Sequence, residues 1–298
     1  MVSQMERLLI NWVYLLRPEQ WVKNLLVLAP PFFGGVLFTS QDMFLEMVLA
    51  FLAFSLASST GYIINDISDI ESDKLHPKKK LRPIASSSIS ITEATVLGLI
   101  TLALSLGLSL YISKIFLLII VIYLILSLLY SFYLEKIVIL DVFIIAIGFV
   151  LRIEAGGVAS VIDVSSWLLL TTFLLSLLLA FGKRRFELVF IKNSGAPYKE
   201  VLKHYKESFL DTTLSMFGTT AIVMYSIYAV VNESKTFLIT VPFACFGVLR
   251  YMYLVQTNTR GDPTESLMKD IWLLLCVVLW LLVTTVVIYF SHIVDFIL

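Results

Sequence analysis

Three aspartates are the first residues in this chain whose types and spacing could do chemistry. Asp66, Asp69 and Asp73 fall at i, i+3 and i+7 in the run Asn65-Asp66-Ile67-Ser68-Asp69-Ile70-Glu71-Ser72-Asp73. If a helix continues through them, that spacing puts three carboxylates on one face. Like charges held together are costly unless a cation bridges them. Mg2+ suits such a group, because this hard ion is held by one or two carboxylates and completes its shell with water and substrate phosphate oxygens. The spacing therefore predicts a Mg2+–diphosphate site on Asp66, Asp69 and Asp73, against the plainer reading of a solvated acidic helix end.

Basic residues follow closely. The run His76-Pro77-Lys78-Lys79-Lys80-Leu81-Arg82-Pro83 comes straight after the aspartates. Lys and Arg bind phosphate, with Arg offering a bidentate fork. Lys78 and Arg82, four apart, are the preferred site residues, whereas Lys79 and Lys80 read as topology signal and attraction to anionic lipid. Further groups are Arg17-Pro18-Glu19-Gln20-Trp21-Val22-Lys23-Asn24 and Lys183-Arg184-Arg185-Phe186-Glu187. Arg152 lies inside an apolar run, one turn before Gly156-Gly157. An arginine there is costly and faces a cavity or a partner, or closes a structural ion pair. Glu154, in the same run, is assigned no role.

The elements that must position these residues are membrane helices. Of 298 residues, 59% are hydrophobic and 15% charged, and the mean hydropathy is +0.92. A soluble fold of this length could not bury so much apolar surface, which excludes a cytosolic enzyme and a disordered chain. Nine apolar runs are long enough to cross a bilayer, at about 25–39, 43–64, 91–112, 115–134, 138–160, 164–182, 212–231, 236–256 and 271–291. The first is the weakest, since Pro30-Pro31 and Gly34-Gly35 kink or break a helix. The β-barrel alternation is absent. The expectation is an all-α polytopic bundle of about nine helices forming one catalytic domain, 1–298. Residues 5–16 (Met5, Leu8, Leu9, Trp12, Leu16) and 198–210 (Val201, Leu202, Tyr205, Phe209) carry apolar stripes. They suit either a helix in the interface or one packed on the bundle.

Net charge is zero, with 22 Lys and Arg against 22 Asp and Glu, and no nucleic-acid partner is expected. Sorted by side, the balance disappears: nineteen of the 22 basic residues fall in alternate segments of the nine-span topology. The positive-inside rule then places the N-terminus and the loops at about 65–90 and 183–211 in the cytoplasm of a cell-membrane protein. Cys245 and Cys276 sit in apolar runs and read as buried helix residues. No cleavable signal is evident, because Leu8–Leu16 is interrupted by Asn11 and no small-residue cleavage pattern follows. The sequence is compatible with a homo-oligomer.

Taken together these residues resemble a family. Asn65-Asp66-x-x-Asp69-x-x-x-Asp73 after a transmembrane helix is similar to the first aspartate-rich motif of the UbiA-type membrane prenyltransferases. Within them, the chain resembles the decaprenyl-phosphate phosphoribosyltransferase branch. The likeness is carried by Arg17-Pro18-x-Gln20-Trp21-x-Lys23-Asn24, by His76-Pro77 and Arg82-Pro83-Ile84-Ala85-Ser86, and by Tyr130-Ser131 with Asp141. It continues in Phe149-x-x-Arg152 with Gly156-Gly157, in Gly182-Lys183-Arg184-Arg185-x-Glu187, and in Arg250-Tyr251, Gly261-Asp262-Pro263 and Asp270. It departs at Glu135, where the branch often has a lysine. Here Lys136 stands next to it.

The resemblance implies that a polyprenyl phosphate attacks the anomeric carbon of 5-phosphoribosyl diphosphate, with Mg2+ holding the leaving diphosphate on Asp66, Asp69 and Asp73. A phosphate nucleophile is already ionised and needs no dedicated base, so His76 is not nominated. Lys23, Asn65, Lys78, Arg82, Tyr130, Arg152, Lys183 and Arg184 are the implied phosphate-binding residues. Which cluster meets which phosphate is left open. One alternative is an ordinary UbiA-type enzyme that moves a prenyl group from a prenyl diphosphate to an aromatic or other acceptor. A second aspartate-rich motif is then expected, and residues 131–145 offer only Glu135 and Asp141. A remote alternative is a lipid or ion transporter, whose polar residues should lie near the midplane. Apart from Arg152 and Glu154, the charges here are expected at one membrane face, which favours interfacial catalysis.

Overall fold

The structure, a computed structural model, describes residues 4–75, 79–194, 200–231 and 235–290. Its helices are α1 (Gln4–Leu16), α2 (Ala29–Phe33), α3 (Gln41–Ser68), α4 (Ile70–Leu75), α5 (Ile91–Ile112), α6 (Lys114–Phe132), α7 (Leu140–Ser160), α8 (Ser166–Ser194), α9 (Glu207–Val231), α10 (Val241–Gln256), α11 (Pro263–Lys269) and α12 (Ile271–Tyr289). Short 3₁₀ segments join several of them, the longest being Pro18–Leu28. No strand occurs among the described residues. Among the described residues, eight helices are long and apolar enough to cross a membrane: α3, α5 to α9, α10 together with the 3₁₀ turn before it (Thr236–Gln256), and α12. This is a multi-pass, all-α membrane protein.

The ninth expected span, 25–39, is not a continuous helix. It consists of the end of the 3₁₀ segment, the single turn and a half of α2, and turns. Pro18 and Pro30-Pro31 remove backbone donors, and the missing α-helical bonds shorten the pitch. Yet this stretch runs antiparallel to α3 along most of its length. Arg17 pairs with Asp66, Trp21 Nε1 donates to Ser59 Oγ at 3.1 Å, and Asn24 Nδ2 donates to Ser55 Oγ at 3.1 Å. Val27, Phe32 and Leu37 then pack in one cluster with Met47, Ala50 and Phe54. From Met47 to Asp66 an α-helix rises roughly 28 Å, close to the hydrocarbon thickness of about 30 Å. The broken segment therefore covers the distance of a span without being a helix.

The chain divides into two compact units. The first holds Met1–Ile144 and Leu151–Asp163, and the second holds Ile145–Val150 and Val164–Leu298. In the first, α3 is the axis. Ser40 caps it, its Oγ accepting from Met43 N at 3.1 Å. Its buried face is made of small residues, among them Ala50, Ala53, Ser55, Ala57, Ser58 and Ser59, which let other backbones approach closely, as in lipid-embedded packing. Hydroxyls tie it to α5 through Thr60–Thr101 at 2.8 Å and Ser105 to Ala53 O at 2.8 Å. A Ser90/Glu93 capping box starts α5. Gly156 of α7 lies so near the 3₁₀ segment that an added Cβ would stand 2.0 Å from Val27 O.

The apolar stripe of α1 serves packing. Trp12, Leu15 and Leu16 join Ile63, Ile67, Ile84 and Ile89, while Ile10, Val13 and Tyr14 are exposed. Met5, Leu8 and Leu9 lie in the part of α1 whose side chains are not described.

In the second unit α8 and α9 pack along one another, with α10 and α12 beside them. Phe181 stacks on Phe217 at 5.5 Å and meets Tyr205 and Phe209 edge-on. The stripe expected as a helix at 198–210 is instead a 3₁₀ turn, Glu200–His204, leading into α9. Val201, Leu202 and Tyr205 are buried, so packing rather than the membrane surface claims them. Cys245 and Cys276 are free thiols on α10 and α12, and Cys276 donates to Phe243 O at 3.1 Å.

Candidate active site

The aspartates stand where α3 gives way to α4. The helix pauses at Asp69, whose φ and ψ are −94° and 4°. The backbone bonds Asp69 N to Asn65 O (2.9 Å) and Asp73 N to Asp69 O (2.8 Å) nevertheless keep helical spacing across the junction. Asp66 and Asp73, seven apart, thus share a face, and both are buried. Asp69 has a different partner: its Oδ2 accepts from Asn65 Nδ2 at 2.7 Å. Of the expected trio, Asp66 and Asp73 are joined by basic side chains and Asp69 is held by Asn65. No group of three or more His, Cys, Asp or Glu gathers as a metal cluster among the described residues.

Arg82 joins the pair. Its Nη1 donates to Asp66 Oδ1 at 3.0 Å and to Asp73 Oδ2 at 2.5 Å. The loop that carries it is folded for this purpose. Ile84 and Ala85 are buried, Ser86 N donates to Arg82 O at 2.9 Å, and Ser88 N and Ile89 N donate to Pro83 O. Arg17 approaches Asp66 from the other side and also donates to Oδ1. Its backbone is left-handed, at φ 53° and ψ 57°, which costs a non-glycine residue about 1–2 kcal/mol. Its guanidinium lies 5.0 Å from the Tyr62 ring centroid. Burial lowers Arg17 from its usual pKa, opposed by the nearby Asp66 carboxylate. Lys79 Nζ stands 3.7 Å from Asp73 Oδ1, and that buried oxygen accepts no hydrogen bond.

The other nominated residues of this unit divide. Asn65 belongs to the site, its Oδ1 accepting from Ser131 Oγ at 3.4 Å, and the half-buried Tyr130 precedes Ser131 on α6. Lys23 sits on the 3₁₀ segment beside buried Asn24. Lys78, with His76 and Pro77, lies outside the described residues. Lys79, set aside as topology signal, is near Asp73. Arg17 was quoted in a motif but not nominated. Its signal was the Arg-Pro pair ahead of the broken span.

Arg152 forms a separate, deeper group. Its Nε donates to Asn24 Oδ1 at 2.7 Å and Nη2 to Tyr123 OH at 3.1 Å, with Ser58 Oγ at 3.5 Å. The Phe54 and Tyr123 rings flank it at 5.0 and 4.9 Å. Ser58 and Asp66 are eight residues apart on α3, roughly 12 Å of helix rise, so Arg152 does not touch the carboxylates. Neutral acceptors and π faces surround this charge, as befits an arginine in an apolar span.

In the second unit, Lys183 Nζ donates to Asp262 Oδ2 at 2.9 Å. Asp262 Oδ1 caps α11 through Thr264 N and Glu265 N. Arg184 is buried and donates to Glu187 Oε2 at 2.7 Å. Arg185, not nominated, is the hub: it donates to Asp211, to Val255 O at 2.9 Å and to Asn258. Tyr251 OH reaches Leu179 O and Gly261 O, at 2.9 and 3.1 Å. Its ring lies against Gly182, where an added Cβ would stand 2.5 Å from the hydroxyl. Arg250 grips Asp270 with two bonds, 3.0 and 2.8 Å. The hydrogen bond from Arg250 holds the Asp270 carboxyl below its usual pKa.

Residues 28–275 match the model of the UbiA prenyltransferase family. The chain belongs to the UbiA prenyltransferase family. The UbiA match contains α3, the aspartates and the Arg82 loop, and begins after Arg17 and Lys23. Among UbiA-type relatives, the chain is 33% identical over 292 residues to a decaprenyl-phosphate phosphoribosyltransferase of Mycolicibacterium smegmatis, covering 92% of this chain and 91% of the relative. It is 32% identical over 277 residues to the protein of the same name from Mycobacterium tuberculosis, covering 89% and 90%. A UbiA homolog from Archaeoglobus fulgidus, bound to GPP and Mg2+, shares the fold with a TM-score of 0.73 at 22% identity, over 93% of this chain and 99% of that one.

Proposed function

We propose that this UbiA-family transferase moves the 5-phosphoribosyl group from phosphoribosyl diphosphate to a membrane polyprenyl phosphate. The observation that carries the reading is the convergence of Asp66 and Asp73 on Arg82, with a buried, unbonded Asp73 oxygen beside it. The choice of substrates is supported by relatives of that name, alike over nearly the whole of both chains.

The donor chemistry suits Mg2+: two convergent carboxylates are what this ion takes when phosphates complete its shell. Asp66 and Asp73 would hold it, with Asp69 joining once released from Asn65. Bound there, the ion supplies charge neutralisation to the leaving diphosphate. Arg17 and Arg82 orient the carboxylates and offer forks to phosphate oxygens. Asn65 positions Asp69. Lys23, Lys78, Tyr130, Arg152, Lys183 and Arg184 remain the proposed contacts to the remaining anionic groups. In the reaction, a lipid phosphate oxygen forms the bond to the anomeric carbon. The bond from that carbon to the diphosphate oxygen breaks, and pyrophosphate leaves with the electron pair. No side chain need remove a proton. The reading treats residues 1–298 as one catalytic chain of the cell membrane, with the N-terminus and the loops at 65–90 and 183–211 in the cytoplasm.

Membranes containing the protein, given Mg2+, labelled phosphoribosyl diphosphate and a polyprenyl phosphate, should transfer label into the organic-extractable lipid. Absence of labelled lipid, with prenyl diphosphate consumed when an aromatic acceptor is supplied, would establish the prenyl-transferring alternative instead.

A further inference from the structure

We propose that Arg82 is an exchangeable counter-ion: it neutralises Asp66 and Asp73 in the empty site and transfers to the diphosphate when a divalent cation enters, so that cation and diphosphate bind only together. This deepens the diphosphate reading of the site and rests on it.

Charge balance is the first support. Asp66, Asp69 and Asp73 at the α3–α4 junction are balanced in number by Arg17, Lys79 and Arg82, which pair with Asp66 and Asp73. A divalent cation arriving alone would meet the carboxylates with their arginines still in place and leave the cluster doubly positive. A diphosphate arriving alone would meet two buried carboxylates. Each disfavours itself, and the two together offset one another.

Geometry then selects Arg82 as the group that moves. A single nitrogen, Nη1, serves both carboxylates; its departure opens one oxygen of each at once, while Arg17 stays on Asp66. Its backbone is fixed by the turn at Pro83 and the buried Ile84. The guanidinium is at the end of a three-methylene stem and is 24% exposed, so the head can swing while the loop stays. Arg17 is less able to leave, with a left-handed backbone, the Tyr62 ring under its guanidinium, and Leu16 O bound by Ser59 Oγ at 2.7 Å. Asp73 supplies the point of entry. At 1% exposure its Oδ1 accepts no hydrogen bond, which leaves a carboxylate oxygen unsatisfied in a place where desolvation makes that costly. Such coupling is reciprocal: diphosphate must tighten the cation by the same factor as the cation tightens diphosphate.

Calorimetric titration of the purified full chain with Mg2+ tests this, first alone and then with saturating inorganic pyrophosphate. For the wild type, pyrophosphate should tighten Mg2+ at least about fivefold, the lower end of ordinary coupling. Arg82→Gln should bind Mg2+ alone at least about fivefold more tightly than the wild type, and its gain from pyrophosphate should shrink. Arg82→Lys keeps the charge but loses the planar fork, and should fall between; if Arg82→Gln does not fold, Arg82→Lys carries the test. The inference is overturned by wild-type Mg2+ affinity that ignores pyrophosphate, or by a folded Arg82 variant whose affinity for Mg2+ alone is unchanged. Pyrophosphate carries neither ribose nor prenyl group, so these outcomes do not depend on the organic substrate. Repeating the titration with phosphoribosyl diphosphate tests the substrate separately: coupling with pyrophosphate alone would overturn the phosphoribosyl reading and leave the Arg82 exchange standing.

Discussion

The two compact units both place charge next to apolar helices, but they settle it differently. In the first, two carboxylates share one arginine nitrogen, a second arginine is held in a left-handed backbone, and one buried carboxylate oxygen has no hydrogen bond. In the second, acids and bases are matched and knitted into the fold: Lys183 to Asp262, Arg184 to Glu187, Arg185 to Asp211 and to backbone, Arg250 to Asp270. Asp262 and Asp270 also cap α11 and α12. Satisfied pairs that double as helix caps are scaffolding. A strained and incompletely satisfied cluster is where a ligand has something to add. The difference supports the α3–α4 junction as the proposed site and makes the basic groups of the second unit structural first, with Lys183, 40% exposed at its side chain, the one most open to solvent.

The strongest way to break this contrast is to neutralise the carboxylates. Asp66→Asn and Asp73→Asn should each lower Mg2+-dependent turnover about 10²–10³-fold, the usual cost of removing one charge-stabilising group. The chain should remain monodisperse in detergent. Asp69→Asn should cost less than either, since Asp69 faces Asn65. Full activity in both Asp66→Asn and Asp73→Asn would remove the site from this junction.

Next in size is a test of the scaffold. At Gly261 an added Cβ would stand 1.9 Å from Phe186 Cβ, a clash that neither side chain can relieve by rotating. Gly261→Ala should lower stability by about 1–3 kcal/mol, the range for overpacking, read as a fall in detergent Tm. An unchanged Tm would show that the loop shifts to make room for the methyl group. Smaller still, Lys183→Ala should raise the KM for phosphoribosyl diphosphate by about tenfold, worth 1.4 kcal/mol, with little change in Tm. A drop in Tm with unchanged KM would return Lys183 to the scaffold.

The smallest effect concerns Arg250–Asp270. Because Asp270 titrates below its unfolded value in the folded protein, its contribution is complete above the ordinary carboxylate pKa of about 4 and is lost as pH falls through the folded value. A pair whose arginine is partly open to solvent contributes about 1 kcal/mol or less. Asp270→Asn should therefore lower Tm slightly at pH 7, and by progressively less as pH falls below about 4. A difference that does not shrink with falling pH would rule out the ion pair as the cause.

Much of this was legible in the residues. Apolar runs of membrane length located all eight continuous helices, because hydrophobic length is a local property of the sequence. The aspartate spacing likewise anticipated that Asp66 and Asp73 would share a face. Other features were not local. Asp69 was grouped with them by spacing, but its side chain chose Asn65 four residues back. Lys79 was discounted in favour of Lys78, because a lysine run does not reveal which member folds back. The span at 25–39 was suspected for its prolines, yet nothing in its composition says that it lies along α3.

What the sequence determined by itself is the membrane setting, the long apolar helices, the family, and the presence of three acids beside basic runs. Each of these depends on composition or short-range spacing. Only the tertiary structure decided that Arg17 and Arg82, 49 and 16 residues from Asp66, close on the same carboxylate. It alone placed Arg152 against Asn24, Ser58 and Tyr123, and tied Arg184 and Arg185 into the scaffold. The reason is physical. A buried charge takes whichever partner the packing brings within hydrogen-bond reach, and packing brings together residues that the sequence holds far apart.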